Sequence, residues 1–108
     1  MQVTNPDWTI TEEDIAKKAF DIAYKREIEA LIDSVRRRVS SLNEVDDMWR
    51  LHDFLSVKRH EIDGRYDFRI PTIIFVFADL VKNGLLDLSE LDGLDAGKIA
   101  KVAALARM

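Results

Sequence analysis

Along the first forty residues, apolar side chains return at spacings mostly of three and four: Ile15, Ala19, Ile22, Ala23, Ala30, Leu31, Val35, Val39 and Leu42. That period belongs to one face of an α-helix and not to the alternation of a strand. Thr9 precedes Glu12 by three residues and Thr11 precedes Asp14 by three, and either pair could form a capping box at the helix start. Glu12, Glu13 and Asp14 suit the positive end of the helix dipole, and Arg36, Arg37 and Arg38 suit the negative end. The pattern predicts one helix over about residues 10–40, roughly 45 Å long at 1.5 Å per residue. A compact monomer of this size is only about 34 Å across. So long a helix needs a partner: the next helix folded back, another chain, or both.

Ser40, Ser41 and Asn43 favour turns and caps, which predicts a break there. A second helix follows over about residues 44–63, with Gly64 expected as a left-handed C-cap. Residues 64–69 read as a polar hinge, and Pro71 is placed as a first helical residue. Residues 73–77 have strand composition, but no partner strand is found and Asn83-Gly84 is a helix stop, so the segment is predicted to be a buried helix. Phe75 and Phe77 lie about 160° apart on its wheel, so one of them reaches the surface unless the helix is covered on two sides. A turn with Ser89 as cap and a last helix from about Asp95 complete the chain. Residues 1–8 read as a short tail that Trp8 pins down.

The second helix carries the informative polar pattern. With Trp49 at zero and about 100° per residue, Met48, Leu51, Leu55 and Ile62 fall within about 60° and form the expected core stripe. Opposite them lie Trp49, His52, Asp53, Ser56, Arg59, His60 and Asp63, a face holding both histidines and one of the two tryptophans. A core Trp would sit with Leu51 and Leu55. Trp and Arg are also over-represented among interface hot spots, where truncation commonly costs about 2 kcal/mol or more. This face either docks a partner protein or packs on the first helix or on its own copy, with Asp53 pairing Arg59 across the interface. Both readings bury the Trp and satisfy the charges.

Composition narrows the chemistry. The chain has 108 residues, 47% hydrophobic and 33% charged, which fits one folded domain. A net charge of -4 argues against a coat for nucleic acid. With no cysteine, disulfides, thiol nucleophiles and cysteine metal sites are excluded. His60-Glu61 lacks the second histidine of the zinc-protease motif, and two histidines plus a carboxylate match a catalytic zinc site poorly. Ser56 lies one turn from His52 and His60 without the strained elbow a nucleophile needs. Arg36, Arg37 and Arg38 read as a solvated helix end. The expectation is no metal site and no enzyme. The first six residues lack a positive region followed by an apolar stretch, and the longest apolar run, residues 73–78, is far too short to span a bilayer, which predicts a cytoplasmic protein.

Two segments carry a resemblance. Asp46-Asp47-Met48-Trp49-Arg50-Leu51-His52-Asp53-Phe54-Leu55-Ser56, followed by Lys58-Arg59-His60-Glu61-Ile62-Asp63-Gly64-Arg65-Tyr66-Asp67, resembles the signature of the cyanobacterial fluorescence recovery protein family. Ala23-Tyr24-Lys25-Arg26-Glu27, Ile73-Ile74-Phe75-Val76-Phe77-Ala78 and Ala103-Ala104-Leu105-Ala106-Arg107 extend it over most of the chain. The resemblance implies an all-α fold, a single domain with a long-helix stalk (about 10–63) and a small C-terminal helical head (about 71–108), and a homodimer joined through the stalk. It implies no cofactor and no covalent chemistry. It further implies binding to the C-terminal domain of the photoactivated orange carotenoid protein, a faster return of that protein to its resting form, and its release from the phycobilisome. Trp49, His52, Asp53 and Arg59 match the family's functional positions, and Phe75 and Lys101 match head positions that contact the partner. Met48, with Trp49, Asp53 and Arg59, matches the dimer interface; the family commonly has leucine at the Met48 position, a volume-conserving change. A helical homodimeric relative with a different protein partner remains the alternative class.

Overall fold

The computed structural model describes residues 7–108, and its four α-helices are α1 (Ile10–Ser40), α2 (Val45–Arg65), α3 (Ile73–Lys82) and α4 (Ala96–Ala106). Single 3-10 turns, Ile70–Thr72 and Leu88–Leu91, precede α3 and α4. The predicted tail falls largely on residues 1–6, outside the described residues. Of the two candidate capping boxes the chain uses Thr9 and Glu12: the Thr9 hydroxyl accepts from the Glu12 amide at 3.0 Å, and the Glu12 carboxylate accepts from the Thr9 amide at 3.0 Å. The long first helix stands as expected, and no strand occurs among the described residues.

The packed end of the molecule, called the head below, is built on the N-terminal half of α1 as well as on α3 and α4, and the rest of α1 with α2 is called the stalk. Ala16, Ala19, Phe20 and Ala23 of α1 join Trp8, Ile73, Phe77, Leu80, Leu86, Leu91, Leu94 and Val102 in one core. Trp8 is buried there with the Lys98 ammonium 4.4 Å from its ring centroid. Phe77 is fully buried and Phe75 is 62% exposed, the division their angular separation requires. At the end of α3, Gly84 takes φ 74°, and the amides of Leu85 and Gly84 return to the carbonyls of Leu80 and Val81, a Schellman closure. Asp95 caps α4 by accepting from the Gly97 amide.

Three local expectations are corrected. The helix α2 runs through Gly64 to Arg65, and Gly64 has no positive φ. It continues because the next two side chains, Arg65 and Tyr66, are held by α1. Pro71 lies in the 3-10 turn ahead of α3 instead of opening it. The cap of the second 3-10 turn is Asp87, whose carboxylate accepts from the Ser89 amide, so Ser89 is the capped residue and not the cap.

The core stripe expected on α2 is also corrected. Met48 is 52% and Leu55 38% exposed, while the side toward α1 carries Leu51, Phe54, Lys58, Ile62 and Arg65. The inward side is thus turned roughly 50° from the expected one. Phe54, midway along α2, stacks under the Arg38 guanidinium, 3.7 Å from ring centroid to Cζ, and Arg65, at its C-terminal end, is held by ion pairs. These two anchors fix the rotation, and apolar periodicity carries no record of them.

Candidate protein-docking face

The outward side of α2 gathers the predicted residues. Met48, Arg59, His52, Val45 and Trp49 fall within about 100° on the helix wheel. Trp49 is 58% exposed, so this face does not pack on α1, one of the readings the sequence left open. His52 Nδ1 lies 3.3 Å from Asp53 Oδ1, and Arg59 Nε lies 3.7 Å from Asp63 Oδ2. All four of these charged or titratable side chains are mostly exposed, so such pairs contribute little to stability within the chain. Within the chain Arg59 therefore pairs with Asp63. The face is apolar in Val45, Met48 and Trp49 and polar around them, the composition of an interface centre with a charged rim. Further exposed apolar side chains, Ile32 and Val39, lie on the stalk portion of α1.

Phe75 and Lys101 lie apart from α2, both exposed on the head. Lys101 borders a groove of about 490 Å³ shared with Trp8, Ile70, Pro71, Ile74 and Lys98. Among the described residues no three His, Asp or Glu side chains converge as a metal site. Among the described residues no helix is long and apolar enough to cross a membrane. The arginine triplet is less idle than its sequence reading: Arg38 covers Phe54, and Arg36 pairs with Asp33 at 3.6 Å.

Sequence reasoning missed two polar clusters that hold this arrangement. Glu12, only 7% exposed, accepts from Lys98 Nζ at 2.9 Å and from the Asp95 amide at 2.8 Å. The hydrogen bond from Lys98 first, then those from the backbone, hold its carboxyl down from an ordinary 4.5 to about 2. Glu27, also 7% exposed, accepts from Arg65 Nη1 at 2.6 and 2.8 Å and from the Tyr66 hydroxyl at 2.8 Å. Arg65 Nε reaches Asp79 at 2.8 Å. The Glu27 hydrogen bond raises the Arg65 pKa above its usual value, and burial followed by the same carboxylate raises that of Tyr66. A sequence signal existed: Glu12 and Glu27 stand at the helical spacing of Ala16, Ala19 and Ala23, charged residues on an apolar stripe.

A long helical scaffold with an exposed Trp-centred face defines an all-helical protein with a candidate docking surface. Residues 8–106 match the family of the photoprotection regulator fluorescence recovery protein, and the chain belongs to that family. It is 47% identical over 108 residues to the fluorescence recovery protein of Synechocystis, covering 100% of this chain and 99% of that protein. Its fold matches the Fremyella diplosiphon fluorescence recovery protein at a TM-score of 0.91 and 51% identity, covering 94% and 99% of the two chains. The Synechocystis structure matches at 0.90 and 50%, with the same coverage. The family is one of photoprotection regulators and not of enzymes.

Proposed function

We propose that this protein binds the photoactivated orange carotenoid protein at its C-terminal domain, speeds its return to the resting form and promotes its release from the phycobilisome, ending photoprotective quenching. The protein acts in the cytoplasm, as a homodimer joined through the stalk. The observation that carries this reading is the exposed Trp49 face in a chain that matches a photoprotection regulator along nearly its whole length. Trp49, His52, Asp53 and Arg59 form the stalk contact, and Phe75 and Lys101 the head contact.

An accelerator of relaxation must bind the barrier between two partner states better than the starting state. A tenfold acceleration requires only about 1.4 kcal/mol of such preference. No bond is made or broken, so an exposed surface of fixed shape suffices.

The test is direct mixing: illuminate the orange carotenoid protein, add this protein in the dark, and follow loss of the red form. Acceleration is expected, and Trp49→Ala should lose at least about tenfold in the concentration dependence of the rate, the effect of one hot-spot truncation. No acceleration by the unaltered protein would assign the face to a different partner. Unchanged recovery and unchanged dimerisation in Trp49→Ala would remove the face from the mechanism.

A further inference from the structure

We propose that Arg65 is a positioning residue: it fixes where the Trp49 face of α2 lies relative to the head. Three observations carry this. First, α2 is thinly covered along its length: Ile62 is its one buried residue. An open groove of about 420 Å³, lined in part by Leu31, Phe54, Lys58, Ile62 and Leu85, runs along its α1 side up to Arg65. Continuous knob-in-hole packing would fix the rotation and tilt of α2 along its length, and here such packing is interrupted.

Second, the head end of α2 is tied to two different elements through one guanidinium. Arg65 donates through Nη1 to Glu27 of α1 and through Nε to Asp79 of α3. Its fork has a fixed planar geometry, so holding both carboxylates sets an orientation as well as a distance. Tyr66 extends the clasp. Its hydroxyl reaches Glu27 and the Ala23 carbonyl, and its ring meets Phe20 and Tyr24 edge to face at 5.5 and 5.0 Å. Asn83 in turn donates to Asp79 at 3.0 Å.

Third, the residue just before the clasp is a helical glycine with no steric cause. A Cβ on Gly64 would meet nothing within 4 Å, and its φ is ordinary. Glycine inside a helix loosens the backbone. The last turn of α2 is therefore a soft point whose angle the Arg65 clasp sets.

The consequence for docking rests on the reading given above, that the stalk and head residues contact one partner. If Trp49 and Arg59 on α2 and Phe75 and Lys101 on the head engage it together, their spacing must be preset. A floating α2 would add an ordering cost to binding.

The chain has no cysteine, so two spin labels can be placed without background. Val57→Cys on α2 and Ala104→Cys on α4 are exposed positions outside both contact sets. Doubly labelled protein is diluted in unlabelled protein, so that only distances within one chain are read. One narrow distance is expected. Arg65→Lys and Asp79→Asn should lose it, giving a broad distribution at unchanged far-ultraviolet helicity, and Asp79→Glu should restore it. Asp79→Asn leaves the buried Glu27–Arg65 pair intact, so the test stands even if Arg65→Lys folds poorly. A wild-type distance and width in Asp79→Asn would overturn the proposal. In the mixing assay, Asp79→Asn should slow recovery and Asp79→Glu should restore it. Full recovery rates in Asp79→Asn with a broadened distance would also overturn the positioning role. Failure of the unaltered protein to accelerate recovery would sink the partner assignment alone, because the distance measurement needs no partner.

Discussion

Two glutamates on the apolar stripe of α1 do most to join the parts of this molecule. A carboxylate buried without a partner costs several kcal/mol, so each reaches for a cation on another element: Glu12 for Lys98 of α4 and Glu27 for Arg65 of α2. Glu12 also closes the first turn of α1 and the start of α4, so one carboxylate serves three contacts. Its depressed pKa has a definite sign. The stabilisation is complete above the unfolded value near 4.5 and is lost as pH falls toward about 2. The difference in melting temperature between the wild type and Glu12→Gln should therefore be constant above pH 4.5 and shrink between 4.5 and 2. Trp8 emission, read in a Trp49→Phe background, should shift red over the same window. A difference that persists unchanged to pH 2 would contradict the charged role of Glu12.

At the scale of elements, the glycines separate two causes of chain direction. Gly93 takes φ 105°, and a Cβ there would collide with the Ile15 side chain. Gly64 has neither constraint. Gly64→Ala should therefore raise stability by roughly 0.5–1 kcal/mol, whereas Gly93→Ala should lower it by more than that. Thermal or urea unfolding of the two variants checks the pair, and a destabilised Gly64→Ala would mean that the α2 terminus needs a conformation an L side chain resists. The rotation of α2 belongs to this scale too. Its apolar residues would allow either Met48 and Leu55 or Phe54 to face inward. The Arg38 stack and the Arg65 ion pairs choose Phe54, leaving Met48 beside Trp49.

The whole molecule is elongated, 56 × 32 × 21 Å, with a radius of gyration of 17.1 Å against about 13 Å for a compact chain of this length. The head holds the core, and the stalk leaves Ile32, Val39, Val45, Met48 and Trp49 exposed. Apolar side chains on two adjacent helices, in a shape too thin to cover them, suit a second copy of this chain laid along the stalk. Under the proposed function Trp49 would serve both the dimer and the carotenoid-protein partner, and the two would compete. Sedimentation with a stoichiometric excess of that partner should reveal complexes containing one copy of this protein. Intact dimers throughout the series would count against the competition.

The sequence by itself determined the helices. Periodicity, the Thr9–Glu12 box, the Ser40–Asn43 break and the Asn83-Gly84 stop place α1 and α3 closely, because these signals act within one or two turns of chain. It also singled out the Trp49 face, since a tryptophan among His, Asp and Arg is anomalous wherever the helix lies. It could not fix which side of α2 faces inward. That depends on Glu27, Arg65 and Asp79, which lie 38 and 14 residues apart along the chain and meet only when three helices converge. Nor could it exclude packing of the Trp49 face on α1. Local pattern records which residues want burial, but only the tertiary structure decides which of them a single chain can cover.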